Sequence, residues 1–287
     1  MQDIDKLNMI CAKAFRRPFF AALAKGEDAN HAFSIFKNYF LNCDSVTVRD
    51  LFDFLFDFLK KNYRNEYVYK TAVINKIVFG RHSPKTSSSS IELPINNSIV
   101  DVAIFNGFST AYEIKTEYDS PKRLVTQAVD YLDVFDKVYI VTHPRFAEKY
   151  ESLEIPNVGV ISLTNNGSLS VVKEAEINSH NLKLDKMFNV LRKSEYINIV
   201  EDYTSTKLCM PNGIVYNYCK DIYLEMQPEL ASKYFLNAMK KRTADKDFVD
   251  YLYSLPACLR VLGYATPLSK KQKDYVIELM NSEIKFC

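Results

Sequence analysis

Three charged residues near the middle of the chain have types and a spacing suited to metal-ion chemistry. Asp101 lies in an apolar, β-branched run, and Glu113 and Lys115 lie in the next such run. The dipeptide Asn106-Gly107 separates the two runs and favours the positive φ angles of a tight turn, so the sequence predicts a β-hairpin. Side chains alternate along a strand, which places Glu113 and Lys115 on the same face. Two carboxylates beside one ammonium group could bind a hard divalent cation and activate a water molecule.

A buried ion pair between Asp101 and Lys115 is the structural alternative for the same residues. A Glu-x-Lys string on an amphipathic strand, taken alone, is usually a pair of solvated charges. Asp101, however, lies within the run IVDVAIF, which is apolar enough to be covered on both faces. An unpaired carboxylate buried there would be strongly destabilising, and either a metal ion or a lysine partner would remove that penalty.

The order of these residues resembles that of the PD-(D/E)XK nuclease superfamily. Asp101 matches the first acid of the motif, and Glu113-Ile114-Lys115 matches its (D/E)-X-K element. Val100 stands where the superfamily name has proline, which is the loosest position of the motif.

Two flanking features extend this resemblance over about residues 60–175. Gln127 and Tyr131 reproduce the Q-x-x-x-Y pattern of RecB-like branches, and Glu66 lies on an upstream helix where many such nucleases carry a further acid. The chain also resembles a bacterial family of this superfamily whose members carry NEYVYK, GRHS and EIK strings in the same order. Each feature has a structural alternative: Gln127 and Tyr131 could form a polar rim on their helix, and Glu66 could pair with Lys70, four residues on.

The resemblance implies a site that holds Mg²⁺, for which Mn²⁺ could substitute. Asp101, Glu113, the Ile114 carbonyl and Glu66 would be the metal ligands, and Lys115 would assist activation of the attacking water. Gln127 would orient an acid or the water, and Tyr131 would contact a phosphate.

Lys122 and Arg123 are the residues that we expect to contact nucleic-acid phosphates. They follow an N-cap and a first-turn proline, so they begin the helix that carries Gln127, where the positive end of the helix dipole also attracts anions. The next candidates for such contacts are Lys240, Lys241 and Arg242.

The composition is that of a folded protein able to bury a large core. Hydrophobic residues make up 47% and charged residues 25% of the 287 residues. Because the formal net charge is only +2, nucleic-acid binding would have to depend on local basic patches. Six cysteines, at positions 11, 43, 209, 219, 258 and 287, show no C-x-x-C or zinc-ligand spacing and indicate reduced thiols. With no secretory signal and no apolar run long enough to span a membrane, the expectation is a cytoplasmic protein.

The periodicity predicts an α/β fold with additional helical segments at both ends. A helical segment over residues 1–60 precedes a core over 61–178, in which a helix, three strands, a helix and a strand follow one another. Within it, four serines at 87–90 indicate a polar loop before a strand at 91–95. A C-terminal helical domain covers 179–287. The resemblance implies a restriction-endonuclease-like core, a mixed central sheet flanked by helices.

Two functions remain open at this point. The first is a Mg²⁺-dependent nuclease that hydrolyses phosphodiester bonds in DNA, in bacterial defence or DNA processing. The alternative is a non-catalytic module that keeps the fold, binds nucleic acid, or docks a protein partner through its C-terminal helical domain. The sequence leaves the choice of DNA or RNA, the specificity and the oligomeric state undecided.

Overall fold

The chain forms two compact units in the computed structural model, which describes residues 2–27, 33 and 45–285. One unit comprises Met1–Asn75 and Lys246–Cys287, and the other comprises Lys76–Asp245. The helical segments predicted at the two ends therefore share a unit in part, whereas residues 179–245 group with the strands. Of the expected cysteine thiols, Cys43 and Cys287 lie outside the described residues, as do residues 28–32 and 34–44 of the N-terminal segment.

The first unit is mainly helical and is held together by aromatic side chains. Phe15 packs edge-on against Phe52 and stacks on Tyr67, and Phe33 also packs edge-on against Phe52. Strands β1 (Ser45–Thr47) and β8 (Glu283–Lys285) pair antiparallel. The described α-helices of this unit are α1 (Gln2–Ala14), α2 (Arg17–Ala24), α3 (Val48–Asn62), α4 (Glu66–Val73), α11 (Lys246–Ser254), α12 (Arg260–Ala265) and α13 (Lys270–Met280), and a 3₁₀ helix covers Ala257–Leu259.

The second unit is built on a six-stranded mixed sheet with the strand order β2-β3-β4-β5-β6-β7. Its central pairs, β4 with β5 and β5 with β6, are parallel, and the outer pairs are antiparallel. The strands are β2 (Ser88–Ile95), β3 (Ser98–Asn106), β4 (Phe108–Lys115), β5 (Lys137–Thr142), β6 (Val158–Leu163) and β7 (Leu169–Lys173). The described α-helices are α5 (Leu124–Leu132), α6 (Ala147–Glu151), α7 (Leu184–Val190), α8 (Lys193–Thr204), α9 (Asn212–Glu225) and α10 (Pro228–Lys241). The expected α/β class, with a mixed sheet flanked by helices, is confirmed.

The predicted hairpin at Asn106-Gly107 joins β3 to β4. Gly107 has a φ of +74°, and Asn106 pairs with Phe108 across the turn. A residue without a Cβ adopts this left-handed conformation at no steric cost, which explains the glycine at this position. The hairpin is the element that brings the first acid of the pattern beside the second.

The expected polar loop is wrong for the last three of the four serines, Ser88–Ser90. Ser88, Ser89 and Ser90 extend β2 and pair with Phe105, Ile104 and Ala103 of β3. Serine side chains are small enough to be buried on a sheet that is covered on both faces, and Ser88 and Ser89 are buried. The backbone N–H and C=O groups of these serines join the ladder with β3, so polar composition did not prevent strand formation, although the buried hydroxyls of Ser88 and Ser89 have no hydrogen-bond partner among the described residues.

The core of this unit lies between the sheet and its helices. Ala103 and Phe105 of β3 and Ala111 of β4 share one buried cluster with Ala128 and Tyr131 of α5. Side chains two residues apart lie on the same face of a strand, so Glu113 and Lys115 share the face of Ala111. Helix α5 therefore covers the face of the hairpin that carries Glu113 and Lys115. Within the part of the chain that the structure describes, no helix is long and apolar enough to cross a membrane.

Candidate active site

Strands β3 and β4 separate at the level of Asp101. Their pairing ends at Val102 and Tyr112, so Asp101 and Glu113 are not ladder partners. The Asp101 carboxylate instead accepts a hydrogen bond of 2.7 Å from the Ile114 N–H. The carboxylate therefore satisfies a backbone donor that the ladder leaves open, and it lies directly beside the chain segment that carries Glu113.

Glu113, Lys115, Gln127 and Tyr131 form a closed ring of hydrogen bonds. Lys115 Nζ donates to Glu113 Oε1 at 2.6 Å and to Gln127 Oε1 at 3.0 Å. Gln127 Nε2 lies 3.4 Å from the Tyr131 hydroxyl, and this hydroxyl lies 2.8 Å from Glu113 Oε2. The structure thus places all four of these predicted residues together, with Gln127 and Tyr131 one helical turn apart on α5.

The Tyr131 hydroxyl has one proton and two acceptors. It lies 2.7 Å from the Ile99 carbonyl oxygen as well as 2.8 Å from Glu113 Oε2, so it can donate to one of them at a time. Burial raises the pKa of Tyr131 far above its ordinary value, and the nearby charges of Glu113 and Asp101 add to this effect. Tyr131 is therefore a neutral hydrogen-bond donor in this ring.

The burial of these groups differs across the site. Glu113 is 3% exposed and Lys115 is 9% exposed, whereas Asp101 and Gln127 are half-buried. A charged pair so deeply buried is stable only when its remaining polar atoms also have partners, and Gln127 and Tyr131 supply them. The site is open to solvent on the side of Asp101 and Gln127.

Two further side chains, Thr142 and Asp119, position the ring, and the sequence assigned this role to neither. Thr142, fully buried on β5, donates to the Lys115 carbonyl at 2.8 Å. After β4, Asp119 accepts from the backbone and hydroxyl of Thr116 at 2.8 and 2.7 Å, which fixes the turn toward α5. β5 is the strand that ends the predicted order of core elements, but only its register with β4, in which Lys115 pairs with Thr142, identifies the threonine.

The candidate donors are carboxylate and carbonyl oxygens, the atom types that small hard cations prefer. Glu113 precedes Ile114 in β4, and Asp101 accepts from the Ile114 N–H. The Ile114 carbonyl is the third oxygen of the predicted set, and Mg²⁺ is commonly held by one or two carboxylates together with water. Among the residues that the structure describes, no group of three or more His, Cys, Asp or Glu side chains is placed to hold a metal ion. Glu66 belongs to the first unit and forms an ion pair with the buried Lys70, so its predicted role as a ligand remains a prediction.

Lys122 and Arg123 precede the helix that they were expected to begin. They lie in a 3₁₀ turn (Pro121–Arg123) that leads directly into α5, and the Ser120 hydroxyl accepts from the Lys122 N–H. Both side chains are exposed. They stand at the entrance to the helix that carries Gln127 and remain candidates for phosphate contacts.

The fold and the site define an α/β protein with a buried acid–lysine centre on a β-hairpin. The family model described as "Bacteriophage P4 protein cII" matches residues 59–256, which is more than half of the chain and includes every candidate site residue. The chain belongs to this family.

A curated relative and the solved structures give the remaining comparisons. Protein cII of Enterobacteria phage P4 is 30% identical to the chain over 146 residues, which cover 49% of this chain and 50% of that protein. The chain thus aligns with half the length of this relative. No solved structure is significantly similar to the chain.

Replacing Tyr131 by phenylalanine tests whether the ring stabilises the fold. We expect the free energy of unfolding to fall by about 1–3 kcal/mol, because Glu113 and Gln127 each lose a buried hydrogen-bond partner. The denaturant midpoint measures the change. Tyr218→Phe is the matched control, since Tyr218 is 41% exposed on α9 of the same unit. Equal midpoints for the two variants would show that the ring adds no stability.

Proposed function

We propose that this protein is a metal-dependent nuclease that hydrolyses phosphodiester bonds in DNA, on a restriction-endonuclease-like core. The observation that carries the proposal is the convergence of Asp101 with the ring of Glu113, Lys115, Gln127 and Tyr131. A purely structural ion pair between Glu113 and Lys115 does not require a second carboxylate, that of Asp101, beside it. The proposal includes a role in bacterial defence or DNA processing.

Asp101, Glu113 and the Ile114 carbonyl are the groups that would hold Mg²⁺. A metal ion bound there supplies a lowered pKa for its water and a positive charge beside the phosphate. Asp101 is the more accessible of the two acids, which suits the approach of a phosphodiester from the solvent side.

Lys115 is the group that would meet the water or the phosphate. An ammonium has three protons, and among the described residues Glu113 and Gln127 take two of them. The third is available to an oxygen of the substrate. Because Glu113 and Gln127 hold the ammonium in place, little side-chain freedom is lost when the substrate binds.

A non-catalytic binding module on the same fold is the second candidate function, and one observation favours it. Both oxygens of Glu113 already have hydrogen-bond partners, Lys115 and Tyr131, as they would in a purely structural ion pair. A metal ion at this carboxylate would have to share its oxygens with these donors. Metal-dependent cleavage therefore separates the two functions.

Isosteric changes of the two acids test the nuclease. Asp101→Asn and Glu113→Gln should each lower cleavage by about 100-fold or more, because loss of a metal ligand costs at least as much as loss of an outer-shell partner. Alanine is less suitable at position 113, since it would leave the buried Lys115 without its partner. The measurement is the Mg²⁺-dependent rate on linear, nicked, branched and single-stranded substrates.

Glu117→Gln is the matched control for these variants. Glu117 lies two residues beyond β4, is exposed, and should be replaceable with no loss of rate. If Asp101→Asn and Glu113→Gln both cleave as fast as the control, the assignment of the two acids is wrong. If wild-type protein cleaves none of the substrates with Mg²⁺ or Mn²⁺, the binding module is the better account.

Replacing both Lys122 and Arg123 by glutamine tests the proposed phosphate contacts. Affinity for duplex DNA should weaken uniformly across sequences, and the slope of log K against log salt should become shallower by about 1.8, at about 0.9 for each lost phosphate contact. The measurement is titration of a labelled duplex at several salt concentrations, with Ca²⁺ present to permit binding without cutting. Lys270→Gln with Lys271→Gln, at the start of α13, makes the same charge change elsewhere. An unaltered slope in the Lys122 and Arg123 variant would refute these contacts.

A further inference from the structure

A polar cleft of about 510 Å³ lies in the sheet-containing unit and shares no lining residue with the candidate active site. Three parts of the chain line it: residues 85–87, residues 192–202 on and just before α8, and residues 234–244 at the end of α10 and in the turn after it. Because these parts are distant in sequence, composition alone did not reveal the cleft.

The two helices each present one continuous face to the cleft. On α10, Tyr234, Asn237 and Lys241 recur at a spacing of three and four residues. On α8, Glu195 and Asn198 are three residues apart. This spacing places the residues of each helix on the same side, so the cleft is lined by two helical faces with polar side chains.

One ion pair fixes the floor of the cleft. Arg242 donates from Nε to Glu195 Oε1 and from Nη2 to Glu195 Oε2, each at 2.7 Å, and the Arg192 N–H donates to the same carboxylate at 2.7 Å. Burial opposes ionisation of Glu195, but the hydrogen bonds from Arg242 and Arg192 lower its pKa below the ordinary value. The charges of Glu195 and Arg242 therefore neutralise each other inside the protein.

The remaining charges of the cleft are mostly positive. Four basic side chains line it: Lys85, Arg192, Lys240 and Lys241. Apart from Glu195, which is paired with Arg242, Asp202 is the acidic side chain among the described lining residues. Lys85, Arg192 and Lys241 are exposed, and Lys240 is half-buried. Four cations around one concave site favour an anion with several oxygens, such as a phosphate.

The cleft also has groups suited to a nucleobase. Tyr234 is half-buried beside the lysines of α10, and Asn198 and Asn237 carry amide groups that can both donate and accept. An aromatic ring can stack on any base, and the volume lies within the usual range for small-molecule sites. We infer that this cleft binds a phosphorylated nucleotide unit, either a free nucleotide or one unit of a single strand, at a site separate from the acid–lysine centre.

Calorimetric titration of the full chain in EDTA tests this inference without involving a metal ion or cleavage. The probes are thymidine 5′-monophosphate, a 5′-phosphorylated trithymidylate, and thymidine without phosphate. We expect both phosphorylated probes to bind and thymidine to bind about tenfold more weakly or not at all, because the cations recognise the phosphate. Tighter binding of the monophosphate would identify a free nucleotide as the ligand, and tighter binding of the trinucleotide would identify a strand.

Two variants and a control localise the binding. Lys240→Gln with Lys241→Gln, and separately Lys85→Gln, should each weaken the phosphorylated probes by about tenfold, because both remove charge-assisted contacts. Lys270→Gln with Lys271→Gln, the same charge change outside the cleft, should leave affinity within about twofold, as expected for a distant surface change. Denaturant midpoints check that each variant is folded.

Three results would overturn the inference: no binding of either phosphorylated probe to the wild-type chain, equal affinity for thymidine, or equal weakening in the control variant. The outcome does not depend on the nuclease proposal. Asp101→Asn, which should stop cleavage, should bind the probes as the wild-type chain does. Failure of the nuclease and failure of this cleft are therefore distinguishable.

Discussion

The buried ion pair between Glu113 and Lys115 is the interaction on which the site depends. Removing two charges from water is costly, and their mutual attraction offsets that cost only when the remaining lone pairs and protons are also satisfied. Gln127 and Tyr131 meet this condition. Gln127 accepts a hydrogen bond from Lys115, the Tyr131 hydroxyl lies within hydrogen-bond distance of Glu113, and Gln127 and Tyr131 also contact each other. Helix α5 must therefore pack on this face of the hairpin at one register, since a shift of one residue would remove both partners.

The same constraint extends to the sheet. Lys115 lies at the end of β4, and its backbone is held by the parallel partner β5 through Thr142. The separation of β3 from β4 at Asp101 leaves the Ile114 N–H to the Asp101 carboxylate, so the first acid is held by the backbone of the second strand. The two acids and the lysine thus depend on three adjacent strands and one helix.

Local sequence signals predicted the elements that carry the site, and tertiary structure decided the rest. The turn at Asn106-Gly107 and the placement of Glu113 and Lys115 on one face of their strand are local features, and both were predicted correctly. The strand at Ser88–Ser90 was missed because its stability comes from pairing with β3, which polar composition does not reveal. The role of Thr142 and the cleft between α8 and α10 depend on register and helix packing between distant residues. The sequence identified the basic cluster Lys240, Lys241 and Arg242 but not the residues that face it across the cleft.

Membership of the Bacteriophage P4 protein cII family is compatible with the proposed nuclease site and with the proposed nucleotide-binding cleft. The matched region, residues 59–256, contains the acid–lysine centre and the lysines of the polar cleft. The protein would then hold two sites in one unit, one for a metal ion and one for a phosphorylated nucleotide. The proposed metal site is the central claim, because the proposed cleavage depends on it.

The most direct test of that claim is the melting temperature of the ligand-free protein with and without about 10 mM Mg²⁺. A ligand that binds only the folded state stabilises it, by about 2.7 kcal/mol when its concentration is 100 times the Kd. The account predicts that Mg²⁺ raises the melting temperature of the wild-type chain and leaves that of Asp101→Asn unchanged. An equal shift in both proteins, or no shift in either, would contradict a metal site at Asp101 and Glu113.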